Sequence, residues 1–208
     1  MTDSTHLPIL YSYRRCPYAM RARMALHYSG IAVEVREIML KNKPAHMLQI
    51  SPKATVPVLL LTTGEVIDES LNIMHWALAQ HDPENWLMAG DLLEANATEQ
   101  LIAENDKRFK QVLDRYKYAV RFPQYPPEFY RGEGERFLSE LETRLKNHAH
   151  LCRETRSLAD MAIFPFIRQF AAVDQVWFEQ AAYPRLRLWL EGLLQSRIFL
   201  DVMGKCKV

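Results

Sequence analysis

The hydrophobic and polar positions in the first third of the chain predict alternating strands and helices. Residues 8–12 form a short apolar run, which is typical of a buried strand. Met20 and Met24 then recur at helical spacing, and Gly30 supplies a C-terminal stop. In residues 31–36 apolar and charged residues alternate with a period of two, which predicts a second strand with one buried face. The chain is therefore predicted to begin β-α-β.

The pattern continues with a hairpin and a further helix. Residues 41–50 predict a short helical stretch, and residues 58–67 predict an antiparallel hairpin around a turn that contains Gly64. Glu69 and Ser70 are placed to cap the next helix, whose apolar residues share one face. The order β-α-β-α-β-β-α is that of a thioredoxin-like α/β domain, a mixed sheet covered by helices.

The second half of the chain has helical periodicity and no strand pattern. Residues 81–91 contain proline and glycine without a sustained period, which indicates a linker. Beyond them, apolar residues at helical spacing predict three long helices, the last of which starts at Pro184. We therefore predict a thioredoxin-like domain over residues 1–80, a linker over 81–91 and an all-helical domain over 92–208.

Local signals add detail to the helical half. Ser157 and Asp160 have the S-x-x-D spacing of a capping box before an apolar run, and Pro165 inside that run predicts a kink. Residues 122–127 are rich in proline and cannot form a helix interior, so they are predicted to be a loop. The aromatic residues of this loop are candidates for contacts with a second substrate.

Composition and charge exclude several classes of partner. The 208 residues are 49% hydrophobic and 25% charged, and the formal net charge is +1. Without a block of Lys and Arg, neither nucleic acid nor an anionic membrane is an expected partner. Residues 1–7 lack a signal-peptide pattern, and no apolar stretch has the length of a membrane helix. We expect a cytoplasmic protein.

The cysteine and histidine patterns point away from structural disulfides and metals. Cys16, Cys152 and Cys206 are too few and too scattered for a disulfide framework, and they do not have metal-ligand spacing. The seven histidines are dispersed along the chain. No metal is predicted, and a reducing compartment suits these thiols.

Cys16 is the candidate nucleophile. It precedes Pro17 at the predicted start of the first helix, where free backbone N–H groups and the helix dipole stabilise a thiolate. Four arginines within residues 14–23 add positive charge. A lone cysteine is often only a buried small hydrophobe, but this position favours a reactive thiol. Ala19 stands where a dithiol protein would have its second cysteine, so an external thiol would have to resolve a mixed disulfide on Cys16.

Two further segments could hold a ligand. Pro57 follows Val56 at the predicted start of the third strand, where proline is tolerated. If the bond between them were cis, the Val56 backbone would turn outward and could pair with an extended peptide. Residues 68–70 combine two carboxylates, a hydroxyl and free N–H groups at a helix start, which fits either plain capping or a ligand with a carboxylate and an ammonium group.

Together these motifs resemble those of a cytosolic glutathione transferase. The resemblance covers nearly the whole chain, and residues 12–19, Ser-Tyr-Arg-Arg-Cys-Pro-Tyr-Ala, are similar to the cysteine loop of the omega class. It implies a thioredoxin-like domain followed by an all-α domain, glutathione as co-substrate and assembly as a homodimer. It also implies that Cys16 forms a mixed disulfide with glutathione. The implied glutathione-binding residues are Tyr18, Leu40, Lys43, Val56, Pro57, Glu69 and Ser70.

Three functions agree with these residues. The first is an omega-like thiol transferase, of thioltransferase or dehydroascorbate reductase type, that acts on a small or protein-bound disulfide through Cys16. The second is a two-domain glutaredoxin, since the stretch that begins Cys-Pro-Tyr also resembles that family. The third is a binding or regulatory protein with a transferase fold and no turnover. Cys16, Pro57, Glu69 and Ser70 together favour an enzyme, because a scaffold has no need of all four.

Overall fold

The computed structural model describes residues 7–204, which form two compact units. The first unit contains residues 7–83 and 197–204, and the second contains residues 84–196. Residues 1–6, which belong to the N-terminus where no signal peptide is expected, lie outside the described residues, as does Cys206.

The first unit has the predicted β-α-β-α-β-β-α order. Its elements are β1 (Ile9–Ser12), α1 (Pro17–Tyr28), β2 (Glu34–Glu37), α2 (Ala45–Ile50), β3 (Val58–Leu60), β4 (Val66–Asp68) and α3 (Ser70–Gln80). The four strands form one sheet in the order β2-β1-β3-β4, in which β1 runs parallel to β2 and antiparallel to β3. This mixed sheet confirms the prediction of a thioredoxin-like α/β domain.

The second strand starts later than the alternating pattern predicts. The Ile31 N–H donates to the Leu26 carbonyl at 2.9 Å, so Ile31 closes the end of α1. The ladder begins where the Glu34 N–H donates to the Pro8 carbonyl at 2.8 Å. The prediction of a strand from residue 31 was therefore wrong at its start, because the helix end takes the first of the alternating residues.

The central strand β1 places its side chains on both faces of the sheet, as successive residues of a strand must. Leu10 and Tyr11 are both buried. Tyr11 packs with Met47 of α2 and Val58 of β3, while α1 and α3 pack against each other. Because β1 is buried on both faces, its carboxyl end has a fixed position, and so does the start of the loop that leads to Cys16.

The regular elements of the second unit, residues 84–196, are all helices, as predicted. Its helices are α4 (Leu92–Glu104), α5 (Lys110–Lys117), α6 (Pro127–Asn147), α7 (Leu158–Ala171), α8 (Gln175–Gln180) and α9 (Pro184–Leu194). A π-helical turn, Asn105–Phe109, joins α4 directly to α5. The single long helix predicted from the periodicity around Leu101 and Tyr116 is therefore continuous, but it contains an irregularity that the pattern did not indicate.

Aromatic rings form the core of the second unit. The Phe109 ring centroid lies 4.8 Å from that of Phe137 and 5.4 Å from that of Phe170. In the predicted loop before α6, the exposed Tyr125 stacks on Phe129 with 4.1 Å between the ring centroids. The loop residue Tyr125 is thus partly covered by a residue of the first turn of α6.

The predicted capping box is present at the start of α7. The backbone N–H and the hydroxyl of Ser157 donate to Asp160 Oδ2 at 2.9 and 2.7 Å. The helix then continues through Pro165. These hydrogen bonds confirm the predicted capping box. It could be predicted because both partners lie within one helical turn, where sequence spacing determines their distance.

The last helix, α10 (Arg197–Met203), belongs to the first unit, whereas the sequence placed it with the helical half. Asp201 lies 3.3 Å from His27 Nε2 of α1, and an Arg23 guanidinium nitrogen donates to Met203 Sδ at 3.6 Å. Phe199 is buried. Within residues 7–204, no helix is long and apolar enough to cross a membrane.

Candidate active site

Cys16 lies at the N-terminus of α1, as the sequence predicts. Its backbone is extended, and Pro17 begins the helix. The Cys16 N–H donates to the Tyr13 carbonyl at 2.9 Å, and the Cys16 carbonyl accepts from Met20 N–H at 3.0 Å. The half-buried thiol therefore sits between a tight turn and the first helical turn. Backbone N–H groups of α1 without intrahelical partners lie at this end of the helix.

The start of β3 is next to this thiol. Cys16 Sγ lies 3.7 Å from the Val56 carbonyl oxygen, and the Val56–Pro57 peptide bond is cis. Pro57 is buried and Val56 is half-buried. The structure thus brings together two of the segments that the sequence singled out, although they are separated by forty residues along the chain.

The third segment, at the start of α3, has no capping hydrogen bond from the side chain of its N-cap residue. Glu69 has a φ of +70°, and its side chain makes no capping hydrogen bond. A residue other than glycine with such a backbone costs about 1–3 kcal/mol, and residues of this kind cluster at functional sites. The carboxylate instead accepts from Lys53 Nζ at 2.7 Å, and this bond raises the pKa of Lys53. The expectation that the Glu69 side chain caps the helix was wrong.

A buried arginine connects α1 to α3. Arg21 is fully buried, and its guanidinium donates to Ser70 Oγ at 3.4 Å. The same guanidinium lies 5.5 Å from the centroid of the Tyr18 ring. The hydrogen bond from Arg21 therefore links α1, which begins next to Cys16, to the start of α3, which carries Glu69 and Ser70.

The remaining predicted residues lie on another segment. Leu40 is 51% exposed in the turn closed by the bridge between Met39 and Asn42, and Lys43 is half-buried in the loop before α2. Lys43 therefore does not lie on a helix surface. The contacts described above join Cys16 to Val56 and Ser70 to Arg21, but they do not include Leu40 or Lys43.

Sequence reasoning missed Lys53, and it counted Arg21 only among the charges near Cys16, without predicting its contact with Ser70. Lys53 contacts Asp68 as well as Glu69, with Nζ 3.5 Å from Asp68 Oδ1. Lys53 and Arg21 are ordinary cationic residues in the sequence. The only signal for a role of either was the position of Arg21 on the apolar face of a helix. The first unit thus contains the Cys16 thiol, the cis Val56–Pro57 peptide beside it, and charges of both signs at Lys53 and Glu69. This combination suits a zwitterionic thiol peptide.

Comparisons with known proteins agree with this fold. Residues 10–86 match the family model of the "Glutathione S-transferase, N-terminal domain", and residues 99–192 match that of the "Glutathione S-transferase, C-terminal domain". The chain is 30% identical to glutathione S-transferase omega-1 of Rattus norvegicus over 198 residues, which cover 92% of this chain and 80% of the relative.

Solved structures share the fold at lower identity. Glutathione transferase Omega 3C from Trametes versicolor superposes with a TM-score of 0.81 at 22% identity, covering 99% of this chain and 92% of that one. Glutathione transferase URE2P6 from Phanerochaete chrysosporium, in complex with oxidized glutathione, gives 0.81 at 19% identity, covering 95% of both chains. With both domains matched in order and an omega-class relative aligned along most of its length, this chain belongs to the glutathione S-transferase family and is a glutathione transferase with omega-class relatives.

Proposed function

We propose that this transferase is a glutathione-dependent thiol transferase in which Cys16 is the only nucleophile of the site. The observation that carries the proposal is the position of one half-buried thiol at the N-terminus of α1, 3.7 Å from the Val56 carbonyl oxygen. Ala19, one helical turn further on, is fully buried and has no thiol. A mixed disulfide on Cys16 must then be resolved from outside the helix.

The reaction consists of two thiol–disulfide exchanges. The Cys16 thiolate attacks the glutathione sulfur of a mixed disulfide, the substrate leaves as its thiolate, and a Cys16–glutathione disulfide forms. A second glutathione thiolate attacks the glutathione sulfur of that adduct and releases oxidised glutathione and the Cys16 thiolate. In sum one free glutathione reacts with one mixed disulfide to give the substrate thiolate and oxidised glutathione, so one disulfide is broken, one is formed and the electrons balance.

The proposed binding roles are those that the resemblance to glutathione transferases implies, and the position of Val56 beside the thiol supports them. The Val56 backbone, next to Pro57, would pair with the cysteinyl part of glutathione, and Glu69 and Ser70 would hold its γ-glutamyl end. Lys53 would share that end, since its ammonium already bonds Glu69.

Three further residues complete the proposed binding site, and two properties of the whole protein belong to the same proposal. Tyr18, which follows the thiol on α1, would border the bound tripeptide. Leu40 and Lys43 would lie toward its glycyl carboxylate. A homodimer and a cytoplasmic location are expected from the family.

Intact mass spectrometry after incubation with oxidised glutathione tests the nucleophile. Wild type should gain one glutathionyl group that a reductant removes, and Cys16→Ser should not gain it. Cys152→Ser is the matched control and should react like wild type, because burial raises the pKa of the Cys152 thiol and leaves little thiolate at neutral pH. Equal modification of wild type and Cys16→Ser would refute the assignment.

Turnover measurements test the reaction class. Reduction of hydroxyethyl disulfide by glutathione should be lost in Cys16→Ser, and wild type should conjugate aromatic halides only weakly. Comparing a glutathionylated protein with dehydroascorbate then separates a glutaredoxin-like preference from that of an omega-like transferase. A wild-type protein that binds glutathione but reduces none of these substrates would support the binding-protein alternative instead.

A further inference from the structure

A cleft with basic walls lies entirely within the second unit. It has a volume of about 500 Å³ and is formed by the end of α6, the loop between α6 and α7, and one face of α9. This volume is within the range of small-molecule sites. No residue proposed for the reaction at Cys16 lines this cleft.

Three cationic side chains around the cleft form no ion pair within the described part of the chain. Lys146, Arg156 and Arg185 line it, and none of the three forms an ion pair with any residue between 7 and 204. The one carboxylate in the lining, Glu154, is engaged by His148, with 3.1 Å between Nδ1 and Oε1. Within the lining, three cations and one carboxylate leave an excess of two positive charges, whereas the net charge of the whole chain is +1; the buried carboxylate of Asp160 lies behind Trp189 and is not part of the lining.

The loop that forms one wall is held in place by a different arginine. The Arg153 guanidinium donates to the carbonyls of Glu84 at 3.0 Å, Thr155 at 3.3 Å and Arg156 at 2.7 Å. Glu154 also accepts from the Ala149 N–H at 3.3 Å. Arg153 is thus used for structure, whereas the guanidinium of Arg156 is not paired with any carboxylate of residues 7–204. A wall fixed in this way loses little entropy when a ligand binds.

The other side of the cleft is apolar. Trp189 and Leu193 form buried parts of its lining, and Leu188 of the same helix is 64% exposed. Trp189 is fixed from behind, since its Nε1 donates to the buried Asp160 at 2.8 Å. Gly192 also lines the cleft, and a Cβ added there would have no atom within 4 Å. The helix therefore leaves open space above a rigid apolar surface.

We propose that this cleft binds a small phosphorylated organic molecule. A phosphate dianion matches the excess of two positive charges, and arginine guanidinium groups bind phosphate oxygens in a bidentate manner. Its phosphate would lie among Lys146, Arg156 and Arg185, and its organic part would cover Leu188 and Trp189. A monocarboxylate would leave one of the two charges unmatched.

Isothermal titration calorimetry with phenyl phosphate tests the proposal. Wild type should bind it, and binding should weaken as salt is added. Arg156→Gln and Arg185→Gln should each weaken binding about tenfold, which is the effect of losing one charge-assisted hydrogen bond. Lys107→Gln, which removes one exposed charge from outside the cleft, is the matched control and should change nothing.

A steric pair of variants locates the ligand. Gly192→Trp should fill the open space and abolish binding, while Gly192→Ala should bind normally, and both should keep the wild-type circular dichroism spectrum. Inorganic phosphate should bind more weakly than phenyl phosphate, because it cannot use the apolar surface. The proposal is refuted if phenyl phosphate does not bind at millimolar concentration, if both arginine variants bind as wild type, or if inorganic phosphate binds equally well. Glutathione-dependent activity is not part of the readout.

Discussion

Replacing Asp160 with asparagine should destabilise the helical unit strongly and in a pH-dependent way. The Asp160 side chain is fully buried. Oδ1 accepts from Trp189 Nε1 at 2.8 Å and from the Leu151 N–H at 3.0 Å, and Oδ2 accepts from the N–H and hydroxyl of Ser157 at 2.9 and 2.7 Å. His150 Nδ1 lies 3.4 Å from Oδ1.

The size of the effect follows from these donors. An asparagine amide keeps one acceptor oxygen and places an NH₂ group against the other pair of donors, so two of the four hydrogen bonds are lost. Each hydrogen bond to a charged group is worth about 1.5–3 kcal/mol, and an unpaired buried donor costs a similar amount. Because two such bonds to a buried carboxylate are lost, we expect Asp160→Asn to cost about 3–5 kcal/mol. Ser157→Ala, which leaves the carboxylate in place, should cost only about 1 kcal/mol.

The dependence on pH follows from the pKa of Asp160. Burial alone would raise this pKa, but the contact with His150 and the hydrogen bonds from Leu151 and Ser157 outweigh burial and hold it below its ordinary value of 3.8. A carboxyl group with a lowered folded pKa stabilises the protein fully above its unfolded pKa, and this stability is lost as pH falls through the folded pKa. The difference between wild type and Asp160→Asn should therefore be constant near neutral pH and shrink below about pH 4.

Urea unfolding followed by circular dichroism at 222 nm, measured between neutral and acid pH, checks both statements. A difference below about 1 kcal/mol at pH 7 would show that the network contributes little more than an ordinary neutral hydrogen bond. A difference that persists unchanged at the lowest pH where wild type still folds would refute the assignment of a lowered pKa to Asp160.

Two other predictions concern packing and positioning. In thermal unfolding, Gly134→Ala should lower stability by about 1–3 kcal/mol, because the new Cβ would lie 2.5 Å from a ring carbon of Phe170. The control is Gly132→Ala in the same helix, whose Cβ meets no atom within 4 Å and which should raise stability by about 0.5–1 kcal/mol. Equal shifts for the two variants would contradict this packing. If Arg21 positions Ser70 for glutathione, Arg21→Met should raise the KM for glutathione about tenfold while kcat changes less, and a lowered kcat at constant KM would contradict the role.

The folding pattern of the chain was largely predictable because it depends on near neighbours. Residues 58–67 form a hairpin because their turn chemistry is local, and Ser157 reaches Asp160 because both lie in one helical turn. Cys16 occupies the N-terminus of α1 because the proline that follows it is favoured at the first position of a helix. The boundary of β2 was missed because the end of α1 and the strand compete for the same residues.

The sequence by itself determined the secondary structure order, the candidate nucleophile and the resemblance to a family. Only the tertiary structure decided which side chains meet: Lys53 with Glu69, Arg21 with Ser70, and Trp189 with Asp160. It also placed α10 on the first unit and assembled the basic cleft from two helices and a loop. These contacts join residues far apart along the chain, and their energies depend on burial and on the closure of long loops, which no local spacing records.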